Sequence, residues 1–203
     1  MDPDAVPPEK QREVAEAVRK ALAKHGYARL TTRKIAAESE KSEAGLYYYY
    51  DSKDAMIAAF LEVAADFLAR ELAAVDADDP EARLRAACDR LFVRRDDEEL
   101  RGVNVAVMEL LSHAPYNEEL REPLRTLEAN TLESLAGILR EGIERGTFRD
   151  VDPVGTAAFL VAAGNGATGF HLALGMEEGG EPLREQVADY VDSLLADGDR
   201  DRD

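Results

Sequence analysis

One stretch limits the fold more than any other: residues 31–53, TTRKIAAESEKSEAGLYYYYDSK. Thr32 stands before RKIAAES, in which Ile35 and Ala36 follow helical spacing, so Thr32 is the expected N-cap of a short helix. Ser42 stands before EAGLYYYY and is the expected cap of a second, with Gly45 among its weak points. Only Glu40 and Lys41 separate these two segments. Ser52 then precedes a third helix that begins at Lys53. Two short helices joined by a tight turn form a helix-turn-helix, whose second helix enters the major groove of DNA.

The four consecutive tyrosines, Tyr47 to Tyr50, sharpen this reading. Successive helical residues are rotated by roughly 100°, so four in a row point to all sides. They cannot all be core. At least two must present hydroxyls outward, where a phenol can donate to a phosphate oxygen.

The pattern T-T-x-x-I-A, then S-x-A-G-L-Y-Y-Y-Y-x-S-K, behind an amphipathic first helix, resembles the DNA-binding domain of the TetR family of transcriptional regulators. The resemblance is close over about residues 10–60, with LTTRKIA and LYYYYDSK its strongest parts. Beyond that it extends only to helical character and length. The sequence departs from the family in the turn, where Glu40 replaces a customary glycine and Lys41 an apolar residue. A left-handed non-glycine residue costs on the order of 1 kcal/mol, so this turn is expected to be built differently.

The resemblance implies an all-α protein of about nine helices. A helix-turn-helix domain would occupy residues 1–52 and a ligand-binding and dimerisation domain residues 53–203. It implies base contacts from Arg33, Glu43, Ala44, Gly45 and Tyr47, and phosphate contacts from Thr32, Tyr48, Tyr49 and Lys53. Lys41 joins them on the strength of its charge at the turn. The implied partners are a palindromic double-stranded operator, a second copy of the chain, and a small, hydrophobic effector. Candidate lining residues for that effector are Phe60, Phe67, Phe92, Met108, His113, Tyr116, Phe159 and Phe170. Apolar residues at helical spacing are more often plain core, so the pocket rests on the resemblance alone.

Composition narrows the class further. A chain of 203 residues can hold one or two small domains with real cores. Few Pro or Gly clusters and no alternating β-branched runs favour helices. One cysteine, Cys88, excludes an internal disulfide, and with three scattered histidines it offers no zinc spacing. No cofactor is expected. The acidic start, MDPDAVPPEK, lacks an apolar leader, and residues 154–175, though apolar, carry Asn165, Thr168 and His171 among many small residues. The expected location is the cytoplasm, with no membrane partner.

The net charge of −17 looks wrong for a DNA binder until its distribution is read. Residues 1–53 carry ten Lys and Arg against nine Asp and Glu, and the remainder 15 against 33. All six lysines fall in the first segment. Acidic surfaces, scarce lysine and abundant alanine suggest a cytoplasm of high ionic strength.

Along the chain, Val14, Val18, Ala21 and Leu22 mark a first helix ending at Gly26, with Tyr27 and Leu30 packed under the helix-turn-helix. A connector helix is expected from Lys53 to about Val75, with Met56, Phe60, Val63, Ala64, Phe67 and Leu72 on its apolar face. Further helices are expected at about 81–94, 103–113 and 118–145. The charge run 94–99 is expected to be solvated. Pro153 to Gly175, rich in Gly and Ala, reads either as a helix buried in the monomer or as a dimer interface, and the resemblance favours the second, a two-fold interface formed with a last helix at 183–195. The tail from Asp197 is expected to be disordered. An enzyme of helical fold finds no support, since neither a Ser-His-Asp order nor a glycine-rich phosphate loop is present. A regulator controlled by a protein partner, or acting without ligand, is the alternative of the same fold.

Overall fold

The computed structural model describes residues 6–73, 79–92 and 98–196. The expected end of the connector at Val75, the break at 76–78, the charged residues 94–97 and the tail from Asp197 lie outside them. The described residues form nine α-helices: α1 Pro8–His25, α2 Thr32–Ala37, α3 Glu43–Tyr47, α4 Lys53–Ala73, α5 Pro80–Leu91, α6 Glu98–His113, α7 Glu118–Glu144, α8 Pro153–Ala167 and α9 Glu181–Leu194. A π-helical turn, Thr168–Ala173, continues α8. Among the described residues β-pairing is limited to one antiparallel bridge, Phe148 with Leu195. The all-α expectation is met.

Helix ends follow the local chemistry. Pro8 opens α1 at a position whose N–H needs no partner, and Gly26 closes it at φ 67°. Asp79 and Asp152 cap α5 and α8 by accepting the N–H of Glu81 and Val154, at 3.0 and 3.1 Å. Asn117 caps α7 by accepting the N–H of Glu119 at 3.1 Å. α6 begins at Glu98, earlier than expected. Glu98 and Glu99 suit the positive end of a helix dipole, and Glu99 pairs with Arg19 at 2.9 Å.

The chain divides into two compact units by packing. The first comprises Met1–Phe67 and Arg95–Glu128, the second Leu68–Arg94 and Ala129–Asp203. This differs from the functional division expected at 52/53, because α4 as far as Phe67, all of α6 and α7 as far as Glu128 pack with the helix-turn-helix. That core includes Val14, Val18, Leu22, Ile35, Leu46, Met56, Ile57, Leu61, Leu110 and Leu120, each fully buried. α2 and α3 are far shorter than a helix that is stable alone in water. Burial of Ile35 and Leu46, about 2 kcal/mol each, anchors them.

The inward face of α4 is Met56, Ile57, Phe60, Leu61 and Ala65. Phe67, expected on this face, is 58% exposed instead. The second unit closes around Leu84, Phe92, Leu135, Leu139, Leu160, Val187, Val191 and Leu194. Cys88 is buried within it, and burial pushes its thiol up to about 12, which leaves it unreactive near neutral pH. No described helix is long and apolar enough to cross a membrane.

Candidate nucleic-acid interface

The N-cap of α2 is Thr31, not Thr32. Its hydroxyl oxygen accepts the N–H of Lys34 at 3.3 Å. Thr32 is the first helical residue, 7% exposed, and its hydroxyl lies 3.0 Å from the phenol oxygen of Tyr47. The residue expected to meet a phosphate is therefore turned inward, where it ties α2 to α3.

Ser39 builds the turn. Its hydroxyl accepts the N–H of Lys41 at 2.9 Å and donates to the carbonyl of the same residue at 3.3 Å. Among the described residues only glycines have positive φ, so the turn avoids the left-handed conformation that Glu40 would resist. Ser42 then caps α3 by accepting the N–H of Gly45 at 3.2 Å, as expected. α3 is shorter than expected and ends at Tyr47.

The tyrosines divide as one rotation per residue requires. Tyr47 and Tyr48 are exposed, by 49% and 81%. Tyr49 is half-buried, edge-on to Tyr48 with centroids 4.9 Å apart. Tyr50 turns inward. Its hydroxyl is buried without a hydrogen-bond partner, and burial, then the charge of Glu62, pushes it up to about 12.

Arg33, Glu43 and Ala44 are exposed, as Tyr47 and Tyr48 are. Gly45 has no internal reason to be glycine. A Cβ there would meet only Lys41 Cβ and Ser42 Oγ, both at 3.5 Å, an ordinary contact. Lys41 is less available than its charge suggested. Its ammonium is 3.4 Å from Glu13 and 5.3 Å from the ring centroid of Tyr49. Lys53 lies 3.9 Å from Asp54 and 4.5 Å from the ring centroid of Tyr27.

The Thr32–Tyr47 pair makes a testable statement. Tyr47→Phe removes one partner and leaves the buried Thr32 hydroxyl unsatisfied, so it should lower stability by about 1–2 kcal/mol. Adding Thr32→Val removes the orphan and should restore most of the loss. Thermal unfolding of the two variants checks this. An uncoupled, additive pair would show that the bond contributes nothing.

The eight candidate effector residues are divided between the two units. Phe60 is in the first core, and Phe92 in the second. Phe67, Met108, His113 and Tyr116 belong to the first unit, with Tyr116 89% exposed and Met108 half-buried. Phe159 and Phe170 belong to the second and are 52% and 54% exposed. A cavity of about 320 Å³ in the second unit is lined by Cys88, Phe92, Val187 and Val191 with Arg85 and Arg184 at its polar side. Only Phe92 of the eight borders it.

Sequence reading missed Ser39 and Glu109. The serine two residues before a turn lysine was readable as local turn chemistry. Glu109 was not, because its partners are the N–H groups of Tyr27 and Ala28, some 80 residues away.

Residues 14–60 match the family described as bacterial regulatory proteins, tetR family, and residues 80–196 match the BetI-type transcriptional repressor C-terminal family. A TetR transcription regulator from Haloarcula marismortui has a structure that superposes with a TM-score of 0.79 at 34% identity, covering 92% of this chain and 98% of that one. Two Bacillus subtilis proteins match at the sequence level. The uncharacterized HTH-type transcriptional regulator YfiR is 28% identical over 73% of each chain. The fatty acid metabolism regulator protein is 27% identical over 70% of this chain and 72% of its own. With a serine-built helix-turn-helix at one end and matching regulator domains along most of its length, the chain belongs to the TetR family of transcriptional regulators.

Proposed function

We propose that this regulator is a homodimeric repressor that binds a palindromic operator and leaves it when a small, hydrophobic molecule binds residues of the regulatory part, 53–203. The observation that carries the DNA-reading half is Gly45. It lies in a helix where glycine costs about 1 kcal/mol relative to alanine, and the fold has room for a Cβ. Close approach of a groove wall supplies the missing reason for glycine. Arg33, Glu43, Ala44 and Tyr47 surround it as base-reading candidates. Tyr48, Tyr49 and Lys53 are the phosphate-binding candidates, and Lys41 adds charge beside the turn once it exchanges Glu13 for a phosphate.

Support for a dimer comes from one face of α8 and its π-helical extension. Val154, Ala158, Phe159, Ala162, Phe170 and Leu174 are exposed on it together. Support for a hydrophobic effector is the name of the fatty acid metabolism regulator among the relatives. In the proposed mechanism, effector binding tilts α4 and changes the spacing of two recognition helices. Half-sites lie about 34–36 Å apart, and a shift of a few ångströms breaks their register.

Gly45→Ala tests the DNA-reading half. Operator fragments selected from random duplex DNA supply the probe. The variant should unfold at a higher temperature than the wild type, from better helix propensity, while operator affinity falls at least about tenfold. Unchanged affinity would remove α3 from the interface.

A further inference from the structure

We infer that Tyr27 is a positioning residue for operator binding: it sets the ammonium of Lys53, and Glu109 of α6 holds Tyr27 in place. The inference rests on the reading of Lys53 as a phosphate contact.

Tyr27 lies in the connection between α1 and α2 and is half-buried. Lys53 Nζ sits 4.5 Å from its ring centroid, a cation over an aromatic face. His113 packs edge-on against the same ring, with centroids 4.9 Å apart and an interplanar angle of 63°. One carboxylate oxygen of Glu109 accepts the N–H of Tyr27 at 2.7 Å and of Ala28 at 3.1 Å. The ring is thus fixed by its backbone on one side and by His113 on the other. Both fixing residues belong to α6, and α6 lies tight against α1: a Cβ on Gly102 would come within 2.4 Å of the Ala23 carbonyl oxygen. These contacts lie within the first unit.

The ring matters because of Asp54. Its Oδ2 accepts from the Asn117 side-chain amide at 2.8 Å, while its buried Oδ1 has Lys53 Nζ 3.9 Å away, an ion pair longer than a hydrogen bond. Burial first, then the charge of this carboxylate, pushes the Tyr27 phenol up. A lysine released from Tyr27 would turn to that carboxylate, which competes with a DNA phosphate for the same charge. The ring keeps the ammonium from closing the 3.9 Å ion pair with Asp54 to a hydrogen bond and leaves its side chain 30% exposed. It also restricts a long flexible side chain before DNA arrives, which lowers the ordering cost of binding.

A double-mutant cycle on the full-length protein tests the assignment, with Tyr27→Leu, Lys53→Met and the pair measured against an operator duplex. Tyr27→Leu alone should weaken binding roughly fivefold, and Tyr27→Phe, which keeps the ring, should restore it. In the Lys53→Met background Tyr27→Leu should have no further effect. Equal losses in both backgrounds would make Tyr27 a merely structural residue and overturn the inference. Glu109→Ala, run through the same cycle, is the second arm should Tyr27→Leu fail to fold. Its loss of affinity should likewise disappear without Lys53, and persistence of that loss counts against the inference. Lys53→Met also separates the inference from its premise. It should make the slope of log affinity against log salt shallower by about one per subunit. An unchanged slope and affinity would show that Lys53 touches no phosphate, and both readings would fall.

Discussion

Ala162→Arg should yield a folded monomer that no longer recognises its operator. Ala162 is exposed on the same side of α8 as Ala158 and Phe159, while Thr156, Ala157, Leu160 and Gly164 face the core of their own unit. An arginine at residue 162 therefore leaves that core intact. In a two-fold interface it would place two like charges against apolar partners. Burying an unpaired charge costs several kcal/mol per ion, on the order of 3 or more. Two copies should weaken the dimer by at least about a thousandfold, and operator affinity should fall with it, because half-site recognition is coupled through the dimer. Ala163 and Ala167, as small in the sequence, do not serve this test. Ala167 is 7% exposed and Ala163 packs against the second core, so arginine there would damage the protomer itself. Sedimentation and circular dichroism together decide the matter. A variant that stays dimeric at micromolar concentration and keeps its operator affinity would place the interface elsewhere.

The contrast between Ala162 and Ala163 shows where sequence reading stopped. Helix identity was legible because stop and start chemistry is local, as at Gly26, which closes α1 within one turn. Which face of a helix is covered depends on residues far along the chain. In α8 nearly every side is small or apolar, so no stripe was readable. On α4 a spacing argument placed Phe67 with Phe60, while the covered row runs through Ile57, Leu61 and Ala65. The candidate DNA site divides the same way. The Ser42 cap and the outward Tyr47 and Tyr48 followed from spacing. The cap of α2 did not, because Thr31 and Thr32 are chemically identical and one step of register decides which hydroxyl caps and which meets Tyr47.

Operator binding should survive near 1 M KCl. The charge distribution motivates this, and the lysines strengthen it. Lys10 and Lys41 both pair with Glu13, at 2.8 and 3.4 Å, Lys20 with Glu16 at 3.4 Å and Lys24 with Glu38 at 2.7 Å. Lys34 donates to the carbonyl of Arg29 at 2.7 Å, and Lys53 lies beside Asp54 at 3.9 Å. A lysine that leaves a carboxylate for a phosphate exchanges one anion for another. The exposed phenol of Tyr48 is a neutral donor and releases no counterion. Each neutralised phosphate contributes about −0.9 to the slope of log affinity against log salt. Two or three such contacts per subunit give a dimer a slope of only about −4 to −5. Cation uptake by the acidic remainder of the chain, 15 basic against 33 acidic residues beyond residue 53, flattens it further. At about 1 M salt the Debye length is roughly 3 Å, so repulsion between operator and acidic surface is screened while direct hydrogen bonds persist. The same screening should stabilise the fold, and the dimer should unfold at lower temperature in dilute buffer. Titrating a selected operator duplex from about 0.2 to about 2 M KCl measures the slope. A loss of affinity as steep as −10, the value for a repressor held by many cationic contacts, would show that lysine and arginine carry the interface.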